Sequence, residues 1–179
     1  MMNAKARVFV GALVVAGGAL SVPSRAADPP PAPCTKPEHR QFDFWVGEWK
    51  VKGPKGNPVG ESSITSILGR CVILENWRGV GGSNGTSLNT FDATRGVWHQ
   101  TWVDNQGGLL QLEGHATEGR MVLEGKQTRR EGGPSHERIT WEKQGGDGVR
   151  QLWESSTDEG KTWKVMFDGL YVRGVAKGD

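Results

Sequence analysis

Val97-Trp98-His99-Gln100-Thr101-Trp102-Val103-Asp104, then Asn105-Gln106-Gly107-Gly108, then Leu109-Leu110-Gln111-Leu112-Glu113-Gly114-His115, decides the fold class. Two short runs rich in aromatic and aliphatic residues flank a polar reversal that carries two glycines. Strand-length runs bounded by glycine read as an antiparallel hairpin, because Gly supplies the positive φ that a tight turn requires. Side chains alternate across a strand, so Trp98, Gln100 and Trp102 share one face.

The same texture extends in both directions. Strands are expected at Trp45–Lys52, Glu61–Leu68, Cys71–Arg78, Thr86–Phe91, Val97–Asp104, Leu109–His115, Met121–Thr128, His136–Glu142, Val149–Ser155 and Thr162–Arg173. Short Gly-bearing links such as Leu68-Gly69-Arg70, Thr117-Glu118-Gly119-Arg120 and Gln144-Gly145-Gly146-Asp147-Gly148 join them. Beyond one short helical turn within Pro37 to Phe44, apolar residues do not recur at helical spacing. Ten strands in sequence form a meander, and a meander this long must deal with its two edges. Closure removes them, whereas an open sheet invites aggregation. The expectation is therefore an all-β fold, a single antiparallel up-and-down barrel of about ten strands. A two-sheet sandwich is the alternative, and the absence of a long crossover argues against it.

The N-terminus reads differently. Lys5 and Arg7 precede an apolar run from Val8 to Leu20, and Ser24 and Ala26 stand at −3 and −1 of a cleavage site. That is the layout of a secretory signal peptide over residues 1–26. The run is shorter than the roughly 20 residues that span a bilayer. An uncleaved anchor is the alternative, and Pro-Ala-Pro before Cys34 is not a lipid-attachment box. A Pro-rich arm, 27–41, and one barrel domain, 42–179, would follow. Lys5, Arg7 and Arg25 fall before the cut, so 22 Lys plus Arg become 19 against 20 Asp plus Glu. No basic cluster remains to suggest nucleic acid or an anionic membrane surface, and no stable membrane insertion is expected. The expected location is periplasmic or secreted. Cys34 and Cys71 both lie in the exported part, and an even count in an oxidising compartment suggests one disulfide, with two unpaired thiols as the alternative.

Two local patterns carry resemblances. Phe42-Asp43-Phe44-Trp45-Val46-Gly47-Glu48-Trp49-Lys50-Val51 opens the first strand, and Gly47-x-Trp49 resembles the G-x-W signature of lipocalins and their calycin relatives. The resemblance implies that Trp49 closes one barrel end and packs against an Arg of the last strand, here Arg173. Ser156-Thr157-Asp158-Glu159-Gly160-Lys161-Thr162-Trp163 resembles the Asp-box hairpin of sialidases and other β proteins. Ser156 and Asp158 can bond turn amides, Gly160 can take positive φ, and Trp163 can pack beneath the loop. Taken together with Gly69 to Trp77, Trp98 to Asp104 and Gly119 to Leu123, the chain resembles a bacterial family of exported lipocalin-like proteins of uncharacterised function. It is more distantly similar to the ten-stranded haem-binding nitrobindins. Their proximal His lies near the C-terminal end, and this chain has none after His136, so no cofactor is expected.

Eight Trp against one Tyr is a skewed aromatic set. On their own strands, Trp77 shares a face with Glu75, Trp153 with Gln151, and Trp98 and Trp102 with Gln100. If those faces point inward, the barrel encloses aromatic walls with a few polar groups, suited to a small apolar or amphipathic molecule. A filled core whose indoles are satisfied by Gln and Glu is the alternative. Glu75 sits in a run that should be buried, so either its pKa rises or a cation such as Arg138 or Arg150 pairs with it. The candidate ligand residues are Glu75, Trp77, Trp98, Gln100, Trp102, Arg138, Gln151 and Trp153.

Enzyme signatures are poor. Gly81-Gly82-Ser83-Asn84-Gly85 spells G-x-S-x-G, but a nucleophile elbow needs a following helix. His99, His115 and His136 fall on separate strands without metal-ligand spacing, so no metal site is expected. Asp104 and Glu113 could approach across their hairpin as a carboxylate pair. The expected function is small-molecule binding, with an isomerase or lyase on the same barrel, or a structural protein with a filled core, as alternatives. Thiol titration of the unfolded, unreduced protein is expected to find no free cysteine; two reactive thiols would exclude the disulfide.

Overall fold

The structure, a computed structural model, describes residues 32–129 and 133–174. The expected signal segment, 1–26, and residues 27–31 of the expected arm lie outside them. Ten strands follow in order: β1 (Gly47–Lys52), β2 (Pro58–Ile67), β3 (Val72–Gly79), β4 (Asn84–Asp92), β5 (Val97–Asp104), β6 (Leu109–Thr117), β7 (Arg120–Arg129), β8 (Gly133–Gln144), β9 (Gly148–Ser156) and β10 (Lys164–Arg173). Each pairs antiparallel with its sequence neighbours, and β1 pairs with β10, so the sheet closes into a barrel. The sandwich alternative is excluded by this closure.

Alternation sets the inner face. Trp49 and Val51, Ser62 and Ile64, Ile73 and Glu75, Trp98 and Gln100, Ile139 and Trp141 are buried along their strands. The outer face of β7 to β10 carries a lattice of opposite charges. Arg120 pairs with Glu142, Arg138 with Glu154 (2.9 Å), and Arg150 with Asp168 (2.8 Å). Cross-strand pairs of opposite charge are modestly stabilising in a sheet.

The two ends of the barrel differ. The first strand begins at Gly47 rather than at Trp45, because the preceding chain forms two 3₁₀ turns, Pro37–Arg40 and Asp43–Trp45. These turn Phe42 and Trp45 into one barrel end, where both are completely buried. Their rings stack at 5.0 Å between centroids, and Phe42 meets Trp98 (5.7 Å) and Trp141 (5.1 Å) edge-on. The segment is a plug of aromatic mass. Three contacts tie it to the β2–β3 turn: the disulfide Cys34–Cys71, an ion pair of Asp43 with Arg70 (3.1 Å), and a bond from the Arg40 guanidinium to the Arg70 carbonyl.

Beside the plug, the Arg173 guanidinium lies over the Trp49 ring, 4.0 Å from its centroid, and donates to the Val46 carbonyl (2.8 Å). A cation over an indole is attracted by the ring's negative face. Gly47 sits beneath, with φ of 149°, and a Cβ there would overlap the guanidinium. At the other end, the Ser156–Trp163 turn is bonded as its residue types suggest. Ser156 Oγ accepts the Gly160 N–H (2.8 Å), Asp158 accepts the N–H and the hydroxyl of Thr162 (2.9 and 2.6 Å), and the Trp163 indole donates to the Gly160 carbonyl (3.0 Å). These donors, Thr162 foremost, hold the Asp158 carboxyl down at about 2.

Truncating a fully buried ring leaves a cavity as well as a transfer penalty. Phe42→Ala is expected to cost about 3–5 kcal/mol in urea denaturation. Leu88→Ala, on the outer face and half exposed, should cost about 0.5 kcal/mol or less.

Candidate functional site

Among the described residues, the end opposite the plug holds a cavity of about 520 Å³. Here the β1–β2, β3–β4 and β5–β6 turns surround its mouth. Its size falls within the range of small-molecule pockets. The walls are Trp77, Trp102, Trp153 and Phe167 with Leu110 and Ile139, and Glu75, Gln151 and Tyr171 supply polar groups.

The walls stand back from the lumen for a definite reason. Trp77 lies against Gly60 and Trp102 against Gly85, each glycine on a neighbouring strand, and Phe167 against Gly169 of its own strand; a Cβ at any of these glycines would overlap the ring. Strand glycines mark close approaches of this kind. The register makes the placement possible: Ser62 pairs with Trp77 and Ser87 with Trp102, so Gly60 and Gly85 each lie two residues from their ring's direct partner, on the same face, and Gly169 lies two residues along β10 from Phe167. The rings line the wall instead of crossing the space.

Glu75 is buried at the inner face of β3. Its carboxylate accepts the hydroxyls of Ser62 and Ser87, each at 3.0 Å, from the strands on either side. The Tyr171 hydroxyl lies beside the same carboxyl and donates to Gln151 Oε1 at 2.6 Å. A polar chain thus runs from β2, β3 and β4 to β10 and β9. Burial pushes the Glu75 pKa up from 4.5 to about 7, against the opposing effect of the Ser62, Ser87 and Tyr171 hydroxyls. Burial, then the adjacent carboxyl, pushes the Tyr171 phenol well above its usual range, so it remains a neutral hydroxyl.

Of the two readings for Glu75, a raised pKa or a paired cation, the first holds, and neither Arg138 nor Arg150 reaches it. Arg138 and Arg150 stand on the outer face, held by Glu154 and Asp168, because residues at odd steps from Ile139 and Trp141 or from Gln151 and Trp153 point away from the lumen. Arg138 also carries the Trp163 ring 3.9 Å from its guanidinium. Of the other candidates, Glu75, Trp77, Trp102, Gln151 and Trp153 come together around the cavity. Trp98 and Gln100 share the inner face but lie deeper. Trp98 packs into the plugged end and donates to Gln41 (3.1 Å), and Gln100 donates to Asn89 (2.8 Å) within the core.

Asp104 and Glu113 do not meet: Asp104 is at the mouth, whereas Glu113 is on the outer face, gripped by Arg95 (2.7 Å) and His99 (3.1 Å). Ser83 precedes a strand, not a helix. Sequence reasoning missed Tyr171 and a second buried carboxyl, Glu137, which accepts the Trp153 indole N–H (2.8 Å) and the Ser135 and Ser155 hydroxyls (2.6 and 2.9 Å). Alternation from Ile139 and Trp141 puts Glu137 on the inner face, and that signal was available.

The fold defines a class: a closed ten-stranded antiparallel barrel, compatible with a calycin-like fold, plugged at one end and hollow at the other. Beyond the class, no protein-family model matches the chain, and no curated protein is similar to it.

A carboxyl protonated at higher pH in the folded chain than in the unfolded one binds an extra proton between the two values, so its contribution to stability falls as pH rises through that window. For Glu75 the window runs from 4.5 to about 7. Glu75→Gln is expected to gain on the parent by about 3 kcal/mol between the acid and alkaline sides of the window. Urea denaturation of both proteins at about pH 4.5 and about pH 8 measures the change; a pH-independent difference would show that Glu75 titrates normally.

Proposed function

We propose that this protein is an exported binding protein of lipocalin-like form that holds a small amphipathic molecule in its open-ended cavity. The observation that carries this reading is the seating of Trp77, Trp102 and Phe167 on glycines, which keeps space open inside a barrel otherwise packed with aromatic rings. A chain selected only for stability gains from filling such a space, because apolar voids forfeit packing. The apolar body of the occupant would lie among the rings, and its polar head would reach Glu75, Tyr171 and Gln151. The Cys34–Cys71 disulfide supports export, since such bonds persist in oxidising compartments. A periplasmic or secreted location and cleavage after Ala26 belong to the same proposal. The G-x-W strand and the Trp49–Arg173 stack support the lipocalin-like assignment.

Nile red, a neutral apolar dye, is the probe. Its emission is expected to rise and shift to shorter wavelength with the folded protein. Gly60→Val, which drives the Trp77 ring into the lumen, should weaken uptake about tenfold or more, since a filled pocket cannot bury the dye. Equal uptake by parent and variant would place the dye elsewhere and defeat the proposal.

A further inference from the structure

We propose that the occupant is an organic cation, an amine with a flat or apolar body, whose nitrogen is received by Glu75. This deepens the binding reading above and rests on it. Three features of the cavity point the same way.

The first is the charge of its lining. Glu75, Asp104 and Asp168 line it, and among the described residues no lysine, arginine or histidine does. Asp168 is neutralised on the outer side by Arg150, and Asp104 accepts the N–H groups of Gln106 and Gly108 in its own turn (2.9 and 2.8 Å). Glu75 faces hydroxyls: Ser62 from β2, Ser87 from β4 and Tyr171 from β10. The only titratable group among these is Tyr171, which stays neutral.

The second is what those hydroxyls do. A carboxylate with only neutral donors is held in place but not neutralised, and a buried charge left in that state is costly. A ligand ammonium would supply the missing charge and release that cost on binding.

The third is the wall. Trp77, Trp102, Trp153 and Phe167 present indole and phenyl surfaces to the same space. Aromatic faces attract cations, most strongly where water is excluded. An anion would meet the negative faces of the rings and the acids together.

The occupant's charge also sets a pH signature. The amine prefers ionised Glu75, so its binding weakens as pH falls through the region in which that carboxyl takes up a proton, while a neutral analogue is unaffected. Protonation is driven there by burial against the hydroxyls of Ser62, Ser87 and Tyr171.

The test uses three probes of one skeleton, tryptamine, tryptophol and indolepropionate, each displacing Nile red from the full mature protein. At about pH 8, tryptamine is expected to compete about tenfold more strongly than tryptophol, the gain of one hydrogen bond to a charged group. Indolepropionate should be the weakest. The tryptamine advantage should shrink to about threefold or less at about pH 5 in the parent, and to the same level at both pH values in Glu75→Gln. Nile red uptake by the variant confirms that its cavity is intact; should the variant not fold, the parent's pH profile decides alone. Tryptophol or indolepropionate competing as well as tryptamine would overturn the cation while leaving the cavity a binding site. Nile red uptake with no displacement by any of the three would do the same. No uptake of Nile red would overturn both.

Discussion

Ten strands enclose more space than their own inward side chains fill, since about eight already make a barrel just wide enough for its side chains. Every large feature of the interior is a response to that surplus width. At one end the chain imports Phe42 and Trp45 from outside the sheet to occupy it, and they engage Trp98 and Trp141 from the far wall. At the other end it lays rings on glycines and keeps the space. The plug and the cavity are thus two answers to one geometric excess, divided along the barrel axis.

The division of charge follows. The arginines of β8 and β9 meet carboxylates on the outer face, where water shares the cost of ionisation. Among the described residues, the inner face is left with hydroxyls, carboxamides and two buried carboxyls, Glu75 and Glu137. Glu75 is a local misfit in stability terms: it replaces a potential apolar contact with a group that is costly to ionise. Polar groups held in the interior by several precise bonds are characteristic of sites that orient a guest, in contrast to the Asp158 carboxyl, whose bonds serve a turn.

Much of this was legible from residue order alone, for one reason: a strand alternates, so each residue's face follows from its neighbours. Alternation groups Trp77 with Glu75, Trp153 with Gln151, and Trp98 with Trp102. It also puts Arg138 on the opposite face of its strand from Trp141, away from the lumen. Depth along the axis is not written in alternation. Trp98 and Trp102 share a face, yet one belongs to the packed end and the other to the hollow, and only closure and strand tilt decide which. The plug was illegible for a related reason. Phe42 to Trp49 reads as the start of a strand, and Trp45 leaves the sheet because the barrel end needs filling, a tertiary demand that local pattern does not express. Tyr171 reaches Glu75 across three strand positions of a closed ring, a proximity that linear order conceals.

The clasp of Arg173 over Trp49 joins the first and the last strands of the barrel, with the guanidinium bonded to a carbonyl 127 residues earlier. As the chain is synthesised, β1 therefore has only one partner until β10 has been delivered. Assembly is thus ordered in time: nine strands can zip as successive hairpins, but the final seam waits for the chain's tail. Long-range pairing of this kind slows folding and leaves two unpaired borders in the interim. The tail is accordingly the timekeeper of maturation, and a chain that stops short of β10 leaves the first strand waiting for a partner that never arrives.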